Sequence, residues 1–253
     1  MEGTNNEHEA FQSFRRVGLE PSYVHVNELR KKTVSLEDFS SIFLPGGFSA
    51  GDYIRAGVIL ANRIANSSLS DLRDFIDTGK PVIGVCNGFQ VLCELGFLPG
   101  WSLENQREIV LGHNTSNRYE CRNTYIRITS GNKIFSGAFK REMPYLVPVA
   151  HAEGKIQIQD KGQNLKKLLD LDQVLFRYSD PEGNFGSYPW NPNGSDHDIA
   201  AISNEAGNVI GLMPHPERMF YRYRNAEKKM FGEPAIGEIF FKAIKQYILK
   251  TGY

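Results

Sequence analysis

The sequence predicts an α/β fold in which a mostly parallel central sheet is flanked by helices, with additional short strands in the second half. In the first half, short apolar runs alternate with helical patterns, as in proteins with parallel sheets. In the second half, short strand-like runs are separated by turn signals such as Asn-Gly and Gly-Asn. No internal repeat or domain-sized linker divides the chain, so we expect a single domain over residues 1–253.

The elements of the first half follow from apolar periodicity. The stretch at 51–65 carries one helical stripe, and a second helix is predicted at 68–80, with Ser70 as its N-cap and Gly79 near its end. Buried strands are predicted at 22–26 (SYVHV), 41–47 (SIFLPGG) and 81–86 (PVIGVC).

The second half is expected to be strand-rich and to close with one helix. An amphipathic pattern at 237–250 predicts that C-terminal helix. Strand-like runs lie at 125–130, 145–158, 174–179, 198–204 and 208–215.

Composition excludes several classes of protein. Lys plus Arg and Asp plus Glu number 29 each, and no basic run of five occurs, so nucleic acid is not expected as a partner. Three cysteines without a C-x-x-C pair argue against a disulfide framework or a zinc site. No apolar run approaches a membrane span, and the N-terminus is too polar for a signal peptide. We therefore expect a cytoplasmic protein without a membrane partner.

The stretch GVCNG places a cysteine at the joint between a predicted strand and a helix. Such a turn holds its central residue above the sheet in a strained conformation, which requires small neighbours two positions away, here Gly84 and Gly88. The following helix N-terminus favours a thiolate, and backbone N–H groups at the turn can receive an oxyanion. This pattern marks Cys86 as a candidate nucleophile.

The alternative for Cys86 is a small buried hydrophobic residue, which is the usual role of a free cysteine. Cys93 lies seven residues further along, where the helix faces the core, and we expect it to be a core residue. Cys121 has no supporting context.

A cysteine nucleophile needs a base, and His215 is the candidate. It follows the apolar run at 209–213, and Pro216 biases it towards extended geometry, so that Glu217, two residues on, would face the same side. Glu217 would then orient the imidazole and support its cation. The alternative is a loop histidine beside a solvated glutamate.

A glycine loop at 43–52 follows another predicted strand. Ligands of open α/β sheets bind at the carboxyl edge, where this loop would lie. The N–H groups of Gly47 and Asn87 would form a two-donor oxyanion hole. A simple turn or a phosphate cradle is the alternative, although the loop lacks the G-x-x-x-x-G-K-[ST] pattern.

Taken in order, PGGFSAGD, GVCNGFQVL and HPE resemble class I, triad-type glutamine amidotransferases. The stretches EGTNNEHE, NTSNRYECR, VPVAHAEGK, YPWNPNGS and GLMPHPERMF are similar to those of the glutaminase subunits of phosphoribosylformylglycinamidine synthase. The resemblance covers nearly the whole chain and implies a class I glutamine amidotransferase-like fold.

The resemblance also implies a reaction. Cys86 would attack the carboxamide of L-glutamine and release ammonia, and the resulting thioester would be hydrolysed to glutamate. His215 would be the base and acid, oriented by Glu217. Gln90 and the loop of Asn117, Arg118 and Tyr119 would bind the substrate.

The resemblance further implies partners. Ammonia would pass to a separate synthetase subunit that converts formylglycinamide ribonucleotide to the amidine in purine biosynthesis. ATP and magnesium are expected on that subunit, with no cofactor or metal in this chain. A small bridging subunit is also expected.

Three alternatives stay open at this point. The chain could be a class I amidotransferase of another pathway, although NPNGS argues against this. It could be a cysteine hydrolase or peptidase-like relative, although such proteins place a histidine directly after the nucleophile and here Asn87 follows. It could also be an inactive scaffold. His151 and Glu153 are interpreted as interface or structural residues.

The start of the chain gives a further expectation. Thr4 and Glu7 resemble a capping box, so the first helix would begin almost at once, whereas doubly wound sheets begin with a central strand. We expect a strand of about six to nine apolar residues to precede Met1. Without it, a gap or re-pairing is expected between residues 22–26 and the strand at 41–47.

Overall fold

The α/β class is confirmed by a computed structural model, which describes residues 1–101, 108–221 and 234–253. The helices are α1 (Glu7–Arg16), α2 (Val26–Arg30), α3 (Val58–Asp77), α4 (Asn87–Glu94), α5 (Lys161–Asp170) and α6 (Ile236–Thr251). The strands are β1 (Ile42–Leu44), β2 (Val82–Val85), β3 (Ile109–His113), β4 (Glu120–Ile128), β5 (Tyr145–His151), β6 (Glu153–Ile158), β7 (Val174–Ser179), β8 (Ile199–Ser203) and β9 (Val209–Leu212). No helix in these ranges is both long and apolar enough to cross a membrane.

The central sheet has seven strands in the order β1-β2-β9-β8-β7-β4-β5, and β3 pairs with β6 in a separate ribbon. The pairs β1–β2 and β2–β9 are parallel, with Leu44 opposite Gly84 and Val85 opposite Leu212. The remaining pairs of the sheet are antiparallel, a larger share than the sequence predicts. The carboxyl ends of β1, β2 and β9 therefore meet at one edge, where ligands bind in open α/β sheets.

The two helices predicted between β1 and β2 are one helix. Helix α3 runs from Val58 to Asp77 with a kink at Ser68, and Ser70 lies inside it instead of capping it. The helix continues because its buried face extends from Leu60 past the kink to Phe75. It ends as predicted before Gly79, whose φ is +86°.

The strand predicted at 22–26 is absent, and His25 instead begins α2. The His25 side chain accepts from the Asn27 N–H, and the Glu28 carboxylate accepts from the His25 N–H. This reciprocal pair starts a helix where apolar residues alone suggested a strand.

The capping box predicted from Thr4 and Glu7 does not form. Helix α1 begins after Asn6, which adopts a left-handed conformation and makes no side-chain cap. The Thr4 hydroxyl instead donates to the Met1 carbonyl, and Thr4 pairs with Gly47 in an isolated antiparallel bridge. Long-range pairing has replaced the local cap.

The run predicted at 145–158 divides into two strands of different sheets. β5 ends at His151, and β6 begins at Glu153 and pairs with β3. The sequence patterns did not predict β3 or α5. Both are short: β3 depends on pairing with β6, which is distant in sequence, and α5 packs against β6, which shortly precedes it.

A cavity of about 560 Å³ separates residues 22–26 from the outer edge of β1. Apolar side chains line much of it, among them Phe11, Phe14, Val24 and Phe43. Among the described residues, β1 pairs with β2 alone and forms the edge of the sheet. This is the gap expected between the two segments, and the strand expected before Met1 stays a prediction.

Filling this cavity is expected to stabilise the fold. An N-terminal extension of about seven alternating β-branched and aromatic residues would pair with the open edge of β1 and bury apolar surface. We expect a melting temperature several degrees higher by calorimetry, since each kcal/mol shifts it by about 2–4 °C at this chain length. A Gly/Ser extension of equal length is the matched control, and equal melting temperatures for the two would contradict the prediction.

Candidate active site

Cys86 stands between β2 and α4 in a strained conformation, with φ +51° and ψ −105°. A Cβ on Gly84 would lie 2.5 Å from the Gly88 carbonyl oxygen, and a Cβ on Gly88 would lie 2.0 Å from the Leu44 carbonyl oxygen. Any side chain at either glycine would therefore push α4 away from the sheet. Cys86 is 6% exposed and lies at the N-terminus of α4.

His215 and Glu217 form a buried pair at the end of β9. Imidazole Nδ1 lies 2.6 Å from Glu217 Oε1, and each residue is 1% exposed. The geometry differs from the extended segment that the sequence predicts, because residues 216–219 form a 3-10 turn with Pro216 at its start. The turn still brings the two side chains to one side.

The side chains of Cys86 and His215 both lie next to Gly46. A Cβ on Gly46 would lie 2.8 Å from His215 Cε1 and 3.4 Å from Cys86 Cβ. Strand β5 closes the other side: the Ala150 carbonyl accepts from the Cys86 thiol at 3.7 Å, and the Pro148 carbonyl accepts from the His215 N–H at 2.8 Å. His215 Nε2 has no hydrogen-bond partner in the described part of the chain.

The charges around His215 favour its cation. Burial lowers the pKa of the imidazole, but the Glu217 carboxylate and the Cys86 sulfur outweigh burial and raise this pKa to about 10. An acid–base group that can carry a proton beside a thiol is the requirement for thiol-based acyl transfer.

The two predicted oxyanion donors lie on loops that pack together. Gly47 follows β1 with φ +112°, and Asn87 is the first residue of α4. In the described ranges, neither N–H donates to a backbone carbonyl. The Asn87 side-chain oxygen accepts from the Ser49 hydroxyl at 2.5 Å, which fixes the glycine loop to the helix that carries the cysteine.

The N-terminal turn holds the glycine loop, a contact that the sequence patterns did not predict. The Gly46 carbonyl accepts from the Asn5 N–H at 2.8 Å, and the Phe48 N–H donates to the Gly3 carbonyl at 2.7 Å. A Cβ on Gly47 would lie 2.4 Å from the Asn5 nitrogen. Only glycine fits here, and residues 2–5 thus set the position of the Gly47 N–H.

Gln90 is buried beside the site with both ends of its amide engaged. Its Oε1 accepts from Asn87 Nδ2 at 3.0 Å, and its Nε2 donates to the Glu153 carbonyl at 2.7 Å. The Glu153 carboxylate accepts from the Ala56 N–H at 3.2 Å. Gln90 therefore joins α4 to β6, as a framework for the site.

The predicted substrate-binding loop is exposed. Asn117 and Arg118 lie in a turn, and Tyr119, which is 49% exposed, lies near Phe48 with tilted rings whose centroids are 6.2 Å apart. Burial raises the pKa of Tyr119, and the charges of Cys121 and Cys86 add to the rise.

Asp52 lies on the glycine loop with φ +53°. Burial, followed by the charge of Glu153 and opposed by the Gly57 N–H, raises its pKa to about 6. Its Oδ1 has no hydrogen-bond partner in the described ranges.

The other cysteines lie as the sequence suggests. Cys93 is buried in the core, and burial followed by the charge of Glu94 raises its pKa well above the usual value, whereas Cys121 is exposed.

No group of three or more His, Cys, Asp or Glu side chains that could hold a metal ion occurs in the described ranges.

Glu217→Gln is expected to lower the pKa of His215. In the native protein the pKa of His215 is raised to about 10. The His215–Glu217 pair therefore stabilises the fold fully at pH values below the pKa of an unfolded histidine, about 6.5, and this contribution is lost as the pH rises through about 10. Without the carboxylate, burial lowers the pKa and the contribution vanishes at a lower pH. NMR titration of His215 Cε1–H measures this, with exposed Glu205→Gln as control. A His215 pKa equal in both variants would contradict the assignment.

Comparisons with known proteins identify the family of the chain. The chain matches the model of the CobB/CobQ-like glutamine amidotransferase domain over residues 1–248. It is 52% identical to phosphoribosylformylglycinamidine synthase subunit PurQ of Picrophilus torridus over 244 residues, covering 96% of this chain and 94% of that protein. PurQ of Archaeoglobus fulgidus is 42% identical over 262 residues, covering 99% and 95%. A chain of the PurLQS structure from Thermotoga maritima is 30% identical with a TM-score of 0.73, covering 97% and 94%. The chain therefore belongs to the CobB/CobQ-like glutamine amidotransferase domain family.

Proposed function

We propose that this chain is the glutaminase subunit of a phosphoribosylformylglycinamidine synthase. It hydrolyses L-glutamine to glutamate and ammonia and supplies the ammonia to a synthetase subunit. The observation that carries this proposal is Cys86 on a strained strand–helix turn beside the buried His215–Glu217 pair. The relatives named PurQ and the PurLQS neighbour support the pathway over an amidotransferase of another pathway or a peptidase-like relative.

The first half of the reaction forms a thioester. His215 Nε2 holds the proton of the Cys86 thiol, as the raised pKa of His215 favours, and the thiolate sulfur attacks the carboxamide carbon of glutamine. Glu217 at Nδ1 stabilises the imidazolium. His215 then returns the proton to the leaving nitrogen, the C–N bond breaks, and ammonia departs.

The second half releases glutamate. His215 takes a proton from a water molecule, whose oxygen attacks the thioester carbon. The C–S bond breaks, and the Cys86 sulfur regains the proton. One glutamine and one water thus give one glutamate and one ammonia.

Both tetrahedral intermediates carry charge on the former carbonyl oxygen. The N–H groups of Gly47 and Asn87 donate hydrogen bonds to this oxygen. Both are available, because neither donates to a backbone carbonyl in the described ranges. Gln90 keeps the elements around the substrate in place through its hydrogen bonds to Asn87 and Glu153. Tyr119, with Asn117 and Arg118, binds the part of glutamine that does not react.

The partner uses the ammonia to convert formylglycinamide ribonucleotide to the amidine. ATP and magnesium act on that synthetase subunit, and a small third subunit bridges the two. This chain needs no cofactor, because the thiol and the imidazole perform the chemistry. The site of action is the cytoplasm.

The function is tested on the chain assembled with its synthetase subunit. Cys86→Ala is expected to lower the rate of glutamine-dependent amidine formation by a factor on the order of 10⁴ or more. Added ammonium salt is still expected to support amidine formation. Cys93→Ala is the matched control and keeps glutamine-dependent activity. The chain alone is expected to be a weak glutaminase that assembly activates. Ammonia release by Cys86→Ala would refute the mechanism.

Gly47→Ala tests the oxyanion loop. A Cβ on residue 47 would clash with the Asn5 nitrogen, and alanine would have to adopt the φ of +112° that this position requires. The loop must therefore move. We expect kcat for glutamine to fall roughly 10²–10³-fold, the range for loss of one oxyanion donor. Gly186→Ala is the control, because a Cβ there has nothing within 4 Å. An unchanged kcat in Gly47→Ala would exclude this loop from the oxyanion hole.

A further inference from the structure

His151 is a buried imidazole that the mechanism above does not use. It is 2% exposed and ends β5, the strand whose Pro148 and Ala150 carbonyls bind His215 and Cys86. Its Nε2 has no hydrogen-bond partner in the described ranges. A buried polar atom without a partner is costly in a folded protein, so it is expected to receive a small donor.

The hydrogen bonds of Asn114 fix which nitrogen of His151 carries the proton. Asn114 Nδ2 donates to the carbonyls of Arg118 at 2.9 Å and His151 at 2.8 Å, so this end of the amide is the donor. Asn114 Oδ1, 3.0 Å from His151 Nδ1, is therefore an acceptor. Nδ1 must carry the proton, and Nε2 presents a lone pair.

The surroundings keep this imidazole neutral. Burial, followed by the charge of His215 and then that of Arg122, lowers the pKa of His151 to about 3. A cationic imidazole would give its proton to ammonia, which is the stronger base, and ammonium cannot act as a nucleophile. A neutral imidazole can only accept a hydrogen bond from ammonia.

We propose that His151 Nε2 binds the ammonia released at Cys86, as the first station on its way out of the site. The proposal rests on the proposed glutaminase function. It is carried by the unpartnered, buried Nε2 on the strand that contacts both Cys86 and His215. Ammonia has the size of water, and its N–H matches the lone pair that Asn114 imposes.

Direct binding is tested on the wild-type chain by ¹⁵N NMR of the histidine rings, with His151 assigned from the spectrum of His151→Gln. Ammonium chloride is added at alkaline pH, where much of it is ammonia, and potassium chloride of equal ionic strength is the control. We expect a saturable shift of His151 Nε2 with ammonium chloride alone. No shift, or the same shift with potassium chloride, means that water alone occupies the site and overturns the proposal.

Two variants test the role in the assembled enzyme. His151→Asn keeps a donor to Asn114 but lacks an acceptor at the Nε2 position, whereas His151→Gln supplies one. We expect the amidine formed per glutamate to fall roughly fivefold in His151→Asn, as for one lost hydrogen bond, and to recover in His151→Gln.

The outcomes separate the two proposals. A wild-type chain without glutaminase activity would overturn the proposed function. Active glutaminase with an equal amidine-to-glutamate ratio in wild type and His151→Asn would overturn the role of His151 alone. Thermal melts of both variants identify a loss of folding, and in that case the NMR titration of the wild-type chain decides.

Discussion

The close approach of α4 to the parallel strands is the constraint on which the site depends. Gly84 and Gly88 leave no room between helix and sheet, and a Cβ on Gly211 of β9 would lie 2.0 Å from a ring carbon of Phe89. Because no side chain separates α4 from β1 and β2 at Gly84 and Gly88, Cys86 is forced into its strained turn directly beside the ends of β1 and β9. The glycine loop and His215 come from those same strand ends, so one packing contact assembles all three parts.

A second constraint joins the chain start to the chemistry. The glycine loop exchanges backbone hydrogen bonds with residues 2–5 on one side, and on the other side its Ser49 hydroxyl donates to the side-chain oxygen of Asn87. The same N-terminal segment leads into α1, which borders the cavity beside β1. Anything that fills or opens this cavity acts on a turn that directly contacts the Gly46–Gly47 loop. Stability at this edge of the sheet and the position of an oxyanion donor are therefore physically coupled.

Sequence patterns predicted the parts of the site fixed by local geometry. The joint at Cys86 needs its glycines at given spacings, and His215 and Glu217 are two residues apart, so both could be predicted without a fold. The failures depend on distant contacts. Residues 22–26 were expected to be a strand, but they pair with no strand in the described part of the chain, and His25 caps a helix instead. Thr4 pairs with Gly47, 43 positions away, and no local pattern records that.

The two buried histidines show how the same type of side chain can have opposite protonation behaviour in one site. Both imidazoles are almost fully buried, and burial alone lowers the pKa of each. Glu217 reverses the effect at His215, whereas His151 faces a neutral amide and the charges of His215 and Arg122. The cation favoured at His215 itself suppresses a second cation at His151. The site thus holds one imidazole that can move protons and one that cannot, a separation suited to releasing ammonia in its uncharged form.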